Sequence, residues 1–168
     1  MRFATTNIGL FAVLLLAACS KAPTTGGAPA GGEATAPAAA PAALTDADKK
    51  ALLAALPVAY QGANLDNGRS KLALCKACHT FGQGGDAGVG PNLWGVFGRK
   101  SGSAPGFPYS DGMKALGVVW DADKVNTWIT KPSAMVPGTR MTYVGMESPT
   151  DRVDVIAALK VATSAPPK

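Results

Sequence analysis

Cys75-Lys76-Ala77-Cys78-His79 is the stretch from which the rest of the chain is read. It fits C-x-x-C-H, the attachment pattern of a c-type haem. Two thiols three positions apart on one helical turn can form thioethers with two vinyl groups of a single porphyrin. The adjacent imidazole then falls beneath the iron as proximal ligand. Competing uses of these residues fail on the remaining composition. A structural zinc site needs four ligands, and outside the pentapeptide the chain offers only Cys19 and no second His. A thioredoxin-like dithiol needs a strand leading into a helix, and no strand pattern is visible. A plain disulfide leaves His79 without a role. The expected cofactor is one covalently bound haem c.

Composition sets the scale of what surrounds the motif. The chain has 168 residues, and its N-terminal part is rich in Ala, Pro and Gly. What remains suffices for one small domain of about 100 residues. Charged residues make up 16%, and the formal charge of +5 includes Arg2 of a segment expected to be removed. So mild a basicity argues against nucleic acid but suits a weakly acidic docking partner.

The N-terminus reads as an address. Arg2 precedes an apolar run from Ile8 to Ala18, interrupted only by Gly9. That length suits a signal peptide and falls short of the roughly 18 residues of a spanning helix. The run ends in Leu16-Ala17-Ala18-Cys19, which resembles the bacterial lipobox. The expectation is a signal peptide over residues 1–18, cleavage before Cys19 and lipidation of its sulfur, with an ordinary secretory signal or an uncleaved short anchor as the alternatives. Several acyl chains at ~0.8 kcal/mol per buried CH₂ make such attachment stable. Residues 19–44 are nearly devoid of charge and of large apolar side chains, and read as a disordered tether. Its r.m.s. reach is about 25–30 Å and its taut length about 80 Å.

Helical signals follow. Thr45 caps a start with Asp46 and Asp48 in the first turn, and Leu52, Leu53 and Leu56 form one face before Pro57. Residues 45–64 form this helical lead-in, and residues 65–164 the main domain. Asp66 or Asn67 is the expected cap of a helix running into the haem motif, with Leu72 inward. Phe81 to Gly90 reads as a Gly-rich loop. Short helices are expected over Asp111–Leu116 and Asp121–Thr130, the latter burying Val125, Trp128 and Ile129. Ser148 with Pro149 opens the last helix, whose stripe is Val155, Ile156 and Leu159. The fold class is all-α, small and loop-rich, wrapped around the cofactor.

The iron's second ligand cannot be His, because His79 is alone. A Met thioether favours ferrous iron and raises the potential. Met113, Met135, Met141 and Met146 are the candidates. Met141 stands out because Pro137-Gly138 turns the chain just before it.

Three further stretches carry a resemblance. They are Gly90-Pro91-Asn92-Leu93-Trp94-Gly95-Val96-Phe97-Gly98-Arg99-Lys100-Ser101-Gly102, Ala104-Pro105-Gly106-Phe107-Pro108-Tyr109-Ser110 and Pro137-Gly138-Thr139-Arg140-Met141. Together they resemble the mitochondrial-type class I cytochromes c and their bacterial relatives, from about Asp66 to Ala162. The resemblance implies a class I fold around one haem, with Met141 as distal ligand. It also implies that the Pro91 carbonyl orients the His79 ring, that Arg99, Tyr109 and Trp120 lie near the propionates, and that Thr139 bonds one of them. This chain departs from the family at Trp128, where a Tyr is usual beside the distal Met, and at Met113, where an Asn is common. The basic ring around the haem edge is thinned to Lys76 and Arg140 by Leu74, Ser133 and Ala134.

The function implied is one-electron transfer, not catalysis. The donor expected from the resemblance is a cytochrome bc-type complex, and the acceptor a terminal oxidase or reductase. The protein is expected as a monomer, exported and lipid-anchored on the periplasmic side of a bacterial membrane. A haem subunit of a dehydrogenase and a peroxidase-type enzyme are the alternatives. The latter needs an open iron position and a distal acid–base group, which Met141 and the single His deny it. A gas sensor would need a labile ligand.

Overall fold

Why the chain turns where it does is visible at its helix ends. The computed structural model describes residues 43–167, so the expectations for the signal peptide, for Cys19 and for nearly all of the tether lie outside the described residues. Among the described residues eight helices form: α1 (Asp46–Ala54), α2 (Val58–Gln61), α3 (Leu65–Lys71), α4 (Ala73–Lys76), α5 (Asp111–Ala115), α6 (Ala122–Thr130), α7 (Pro132–Met135) and α8 (Pro149–Ala162). Among the described residues there is no strand, only an isolated antiparallel bridge between Lys100 and Val119. The all-α expectation holds.

Side-chain caps start most of the longer helices. Thr45 and Asp48 form a reciprocal capping box: Thr45 Oγ1 accepts from the Asp48 N–H at 3.1 Å, and the Asp48 carboxylate accepts from the Thr45 N–H at 2.8 Å. Asp121 accepts from the Lys124 N–H at 2.8 Å, and Ser148 from the Asp151 N–H at 3.2 Å with Pro149 at the first turn. The α3 cap differs from expectation. It is Asn64, whose amide oxygen accepts from both the Asp66 and Asn67 N–H groups, so the helix starts before either residue. Two prolines that follow one helix also begin the next. Pro57 is the cap of α2 and Pro132 the first residue of α7, where a missing N–H breaks no helical bond.

The core lies where α3 crosses α8. Gly68 makes that crossing close: a Cβ there would stand 2.1 Å from the Asp154 carbonyl oxygen and 2.8 Å from the Ala158 Cβ. The Asp154 side chain, only 4% exposed, is satisfied at the same place by the Asn64 N–H and Asn67 Nδ2, each at 2.8 Å. Val155, Ile156, Ala157, Ala158 and Leu159 are all buried, as a helix enclosed on several sides requires.

The lead-in of residues 45–64 is firmly seated. Helices α1 and α2 both contact α8, and Leu52, Leu56 and Tyr60 are buried. Tyr60 fixes the end of this piece by donating its hydroxyl hydrogen to the Asp123 carboxylate of α6 at 2.8 Å. Burial first, and then that bond, pushes the Tyr60 phenol from its ordinary 10.0 up to about 12. A raised phenol pKa means the folded state holds its proton longer. Stability is therefore whole below pH 10.0 and declines as pH rises towards about 12. Tyr60→Phe is expected to lose about 1 kcal/mol at neutral pH and to flatten this alkaline decline. Urea denaturation of both proteins across that range checks it.

Candidate haem-binding site

The motif turn is wound by its own backbone. Beyond α4 the Cys78 and His79 N–H groups both donate to the Cys75 carbonyl, at 3.1 and 2.9 Å. This sets Cys75, Cys78 and His79 along one wall of a cavity of about 340 Å³. No disulfide joins the two cysteines. Burial first, and then the neighbouring Cys78, pushes the Cys75 thiol up, so it lies uncharged in an apolar wall.

The His79 ring is held in one orientation. Its Nδ1 lies 2.8 Å from the Pro91 carbonyl oxygen. A carbonyl only accepts, so Nδ1 carries the hydrogen and Nε2 keeps its lone pair. Burial lowers the His79 pKa; the Pro91 bond opposes this and Arg99 adds to it. The imidazole is therefore neutral, the form that ligates a metal. Gly90 presses its backbone against this ring. A Cβ at Gly90 would lie 2.4 Å from His79 Cε1 and 2.7 Å from Nδ1. Gly90→Ala is thus expected to push the ring off Pro91 and destabilise the holoprotein by about 1–3 kcal/mol in urea denaturation.

Of the four methionine candidates, only Met113 and Met141 line the cavity. Met146 is buried in the core, and Met135 packs against it half-buried. Met141 arrives from the expected turn. Gly138 has φ +74°, a left-handed value that glycine tolerates, and the Thr139 N–H donates to the Val136 carbonyl at 3.1 Å. Thr139 Oγ1 then accepts from the Met141 N–H at 3.3 Å.

The remaining expected residues are in the same walls. Pro91, Arg99, Tyr109, Trp120, Trp128 and Thr139 all line the cavity. Arg99 is braced by donating to the Asn92 and Trp94 carbonyls at 2.9 and 3.2 Å. The Trp120 and Trp128 rings meet at 5.8 Å and 57°. Trp128 is half-buried, less so than its helix neighbours Val125 and Ile129, and all three line the cavity. Tyr143 also lines the cavity, and nothing in the sequence reading singled it out; a lone aromatic two positions past Met141 was the only signal.

These residues fit a covalent haem. The walls are largely apolar, two cysteines stand at thioether spacing, and the adjacent neutral imidazole is held through Nδ1, which leaves Nε2 as its ligating atom. Among the described residues no cluster of three or more His, Cys, Asp or Glu gathers to hold a bare metal ion.

No protein-family model matches the chain. Curated relatives do. Cytochrome c2 of Rhodomicrobium vannielii is 45% identical over 101 residues, covering 60% of this chain and 81% of that protein. Cytochrome c of Stellaria longipes is 41% identical over 105 residues, 62% of this chain and 93% of that protein. The cytochrome c homolog of Rickettsia felis is 40% identical over 105 residues, but the match spans only 60% of its length. With a helical fold, a fitting cavity and relatives matched over most of their length, the chain belongs to the cytochrome c family and is an electron-transfer protein carrying haem c, not an enzyme.

Proposed function

We propose that this cytochrome is a tethered one-electron carrier whose single haem is bonded to Cys75 and Cys78 and ligated by His79 and Met141. The observation that carries this reading is the hold of the Pro91 carbonyl on His79 Nδ1, within a cavity that also takes both thiols and the Met141 thioether. When bound, the haem supplies an iron centre that changes oxidation state by one electron. The chain's own residues keep that centre dry and fixed. His79 cannot rotate without breaking its Pro91 bond, and Gly90 fills the space beside its ring. Trp120, Trp128, Val125 and Ile129 exclude water from the wall. Arg99, Tyr109, Trp120 and Thr139 are assigned to the propionates, because they bring hydrogen-bond donors and a positive charge into an apolar lining. Among the described residues no Asp or Glu lines the cavity, and the imidazole of His79 is already held. A peroxidase-type reaction would lack its acid–base group, which favours the carrier over the enzymatic alternative.

The remainder of the proposal rests on the N-terminal sequence. Cys19 carries the lipid, the protein works on the periplasmic side of a bacterial membrane, and the 19–44 segment gives its domain reach. Its donor is a cytochrome bc-type complex, and its acceptor a terminal oxidase or reductase. Intact mass of the denatured protein tests the attachment. The expected result is one haem per chain, lost from the Cys75→Ala/Cys78→Ala double variant. Haem retained by that denatured variant would refute it. The mass of the N-terminal peptide reads acylation at Cys19.

A further inference from the structure

The lead-in of residues 45–64 precedes the stretch that resembles the cytochromes c and adds nothing to the cavity walls, whose described lining starts at Leu74. It is nonetheless well seated. Its two helices rest on α8, and Gln61 Nε2 closes the turn between them by donating to the Ala54 and Leu56 carbonyls at 3.3 and 2.8 Å. One side chain reaches further. Tyr60, only 3% exposed, donates its hydroxyl hydrogen to Asp123 at the start of α6, 63 residues along the chain.

Helix α6 has two opposed faces. Val125, Trp128 and Ile129 line the cavity. Asp123 and Asn126, three positions apart, share the opposite side of the helix. Both are held from outside: Asp123 by Tyr60 at 2.8 Å, and Asn126 by Arg152 Nε, which donates to its Oδ1 at 2.7 Å. Arg152 Nη1 also donates to the Met146 and Glu147 carbonyls, each at 2.7 Å. The Met146 N–H donates in turn to the Ile129 carbonyl at 2.9 Å. The loop that leaves Met141 is therefore fastened to α6 at its far end. A stiff helix moves as a unit, so a shift of its first turn would carry Trp128 and, through Ile129 and Arg152, the loop that bears Met141.

Resting on the reading of Met141 as iron ligand, we infer that the lead-in is a brace behind the cavity: Tyr60, acting through Asp123, is a positioning residue that holds α6 in place and keeps the Met141 loop closed. Tyr60 lines no part of the cavity, so it leaves the closed arrangement as it is. What it sets is how often the Met141 side opens to a small ligand from solution. The lead-in thus guards the closed iron site from the far side of α6.

Imidazole is the probe. Mixed in fixed excess with the oxidised full-length holoprotein, it can bond the iron only when Met141 has left, so its binding rate reads that opening. Tyr60→Phe should raise the rate about fivefold, the factor that corresponds to the loss of one hydrogen bond. Asp123→Ala should raise it by as much, and the two changes together by no more than either alone, as a single shared contact requires. Thr45→Ala removes the cap of α1, at a comparable cost in stability, but touches no bond to α6, and should bind imidazole at the wild-type rate. An unaffected Tyr60→Phe would overturn the brace. So would additive effects of Tyr60→Phe and Asp123→Ala, or an equal acceleration in Thr45→Ala, which would reduce the effect to overall stability. Met141→Ala tests the underlying reading separately, and should bind imidazole far faster than any of these. If it binds no faster than wild type, the ligand reading itself has failed. Fast binding there, with Tyr60→Phe unchanged, sinks only the brace.

Discussion

Met141→Ala should lower the reduction potential by about 100–300 mV, within the ~0.8 V that axial ligands span, and should let the reduced protein bind CO. Two physical effects act together. A soft thioether stabilises the ferrous state, so its loss favours the ferric one. Truncation to Ala also removes the donor proposed for that iron position, which CO can then take. Met113 supplies the internal comparison, because it is the other methionine in the cavity walls. Its helix α5 starts from the Ser110 cap, and its side chain is buried in the core. Met113→Leu should keep CO excluded. CO binding in Met113→Leu, with none in Met141→Ala, would transfer the ligand role to Met113.

Gly68→Ala should destabilise the holoprotein by about 3 kcal/mol, although the same change in an isolated helix would stabilise it by about 1 kcal/mol. The added methyl has no space: it would meet Asp154 backbone atoms at 2.1 and 2.6 Å, and backbone cannot rotate aside as a side chain can. Helices α3 and α8 must therefore move apart. Separation would break the Asn64 and Asn67 bonds to the Asp154 carboxylate, leaving a buried charge unpaired. It would also draw Val155 and Leu159 away from the cavity they line. Urea unfolding, with haem content measured alongside, gives the answer. Wild-type stability in the variant would show that the crossing is looser than described.

Gly68 also shows what the sequence hides. Read locally, it is a weak residue inside a short helix, and only the close approach of α8 explains it. Signals carried by a residue and its near neighbours were legible: Thr45, with acids in the turn after it, and Ser148 with Pro149 each cap the helix they precede. The α3 cap was misplaced because Asn64, Asp66 and Asn67 are all competent caps, and Asn64 is chosen where its N–H also meets Asp154. Short α2 and α7 have no periodic stripe to read, and their prolines look like terminators. At the site, each proposed residue of the described chain lines one cavity, because the motif and the Pro-Gly turn are local devices. Gly90 was less legible as a contact of His79. Its role lies in the ring it touches, although the neighbouring Pro91 marks the place.

The carrier reading stands most directly on a potentiometric titration of the purified native protein, followed by its reduced-minus-oxidised visible spectrum and then by addition of peroxide. A single haem c enclosed by these walls should give one Nernstian transition with a slope of about 59 mV per decade, the one-electron value, and negligible peroxide turnover. Two resolved transitions, or rapid turnover of peroxide by the native protein, would contradict the account of a single closed site that only passes electrons.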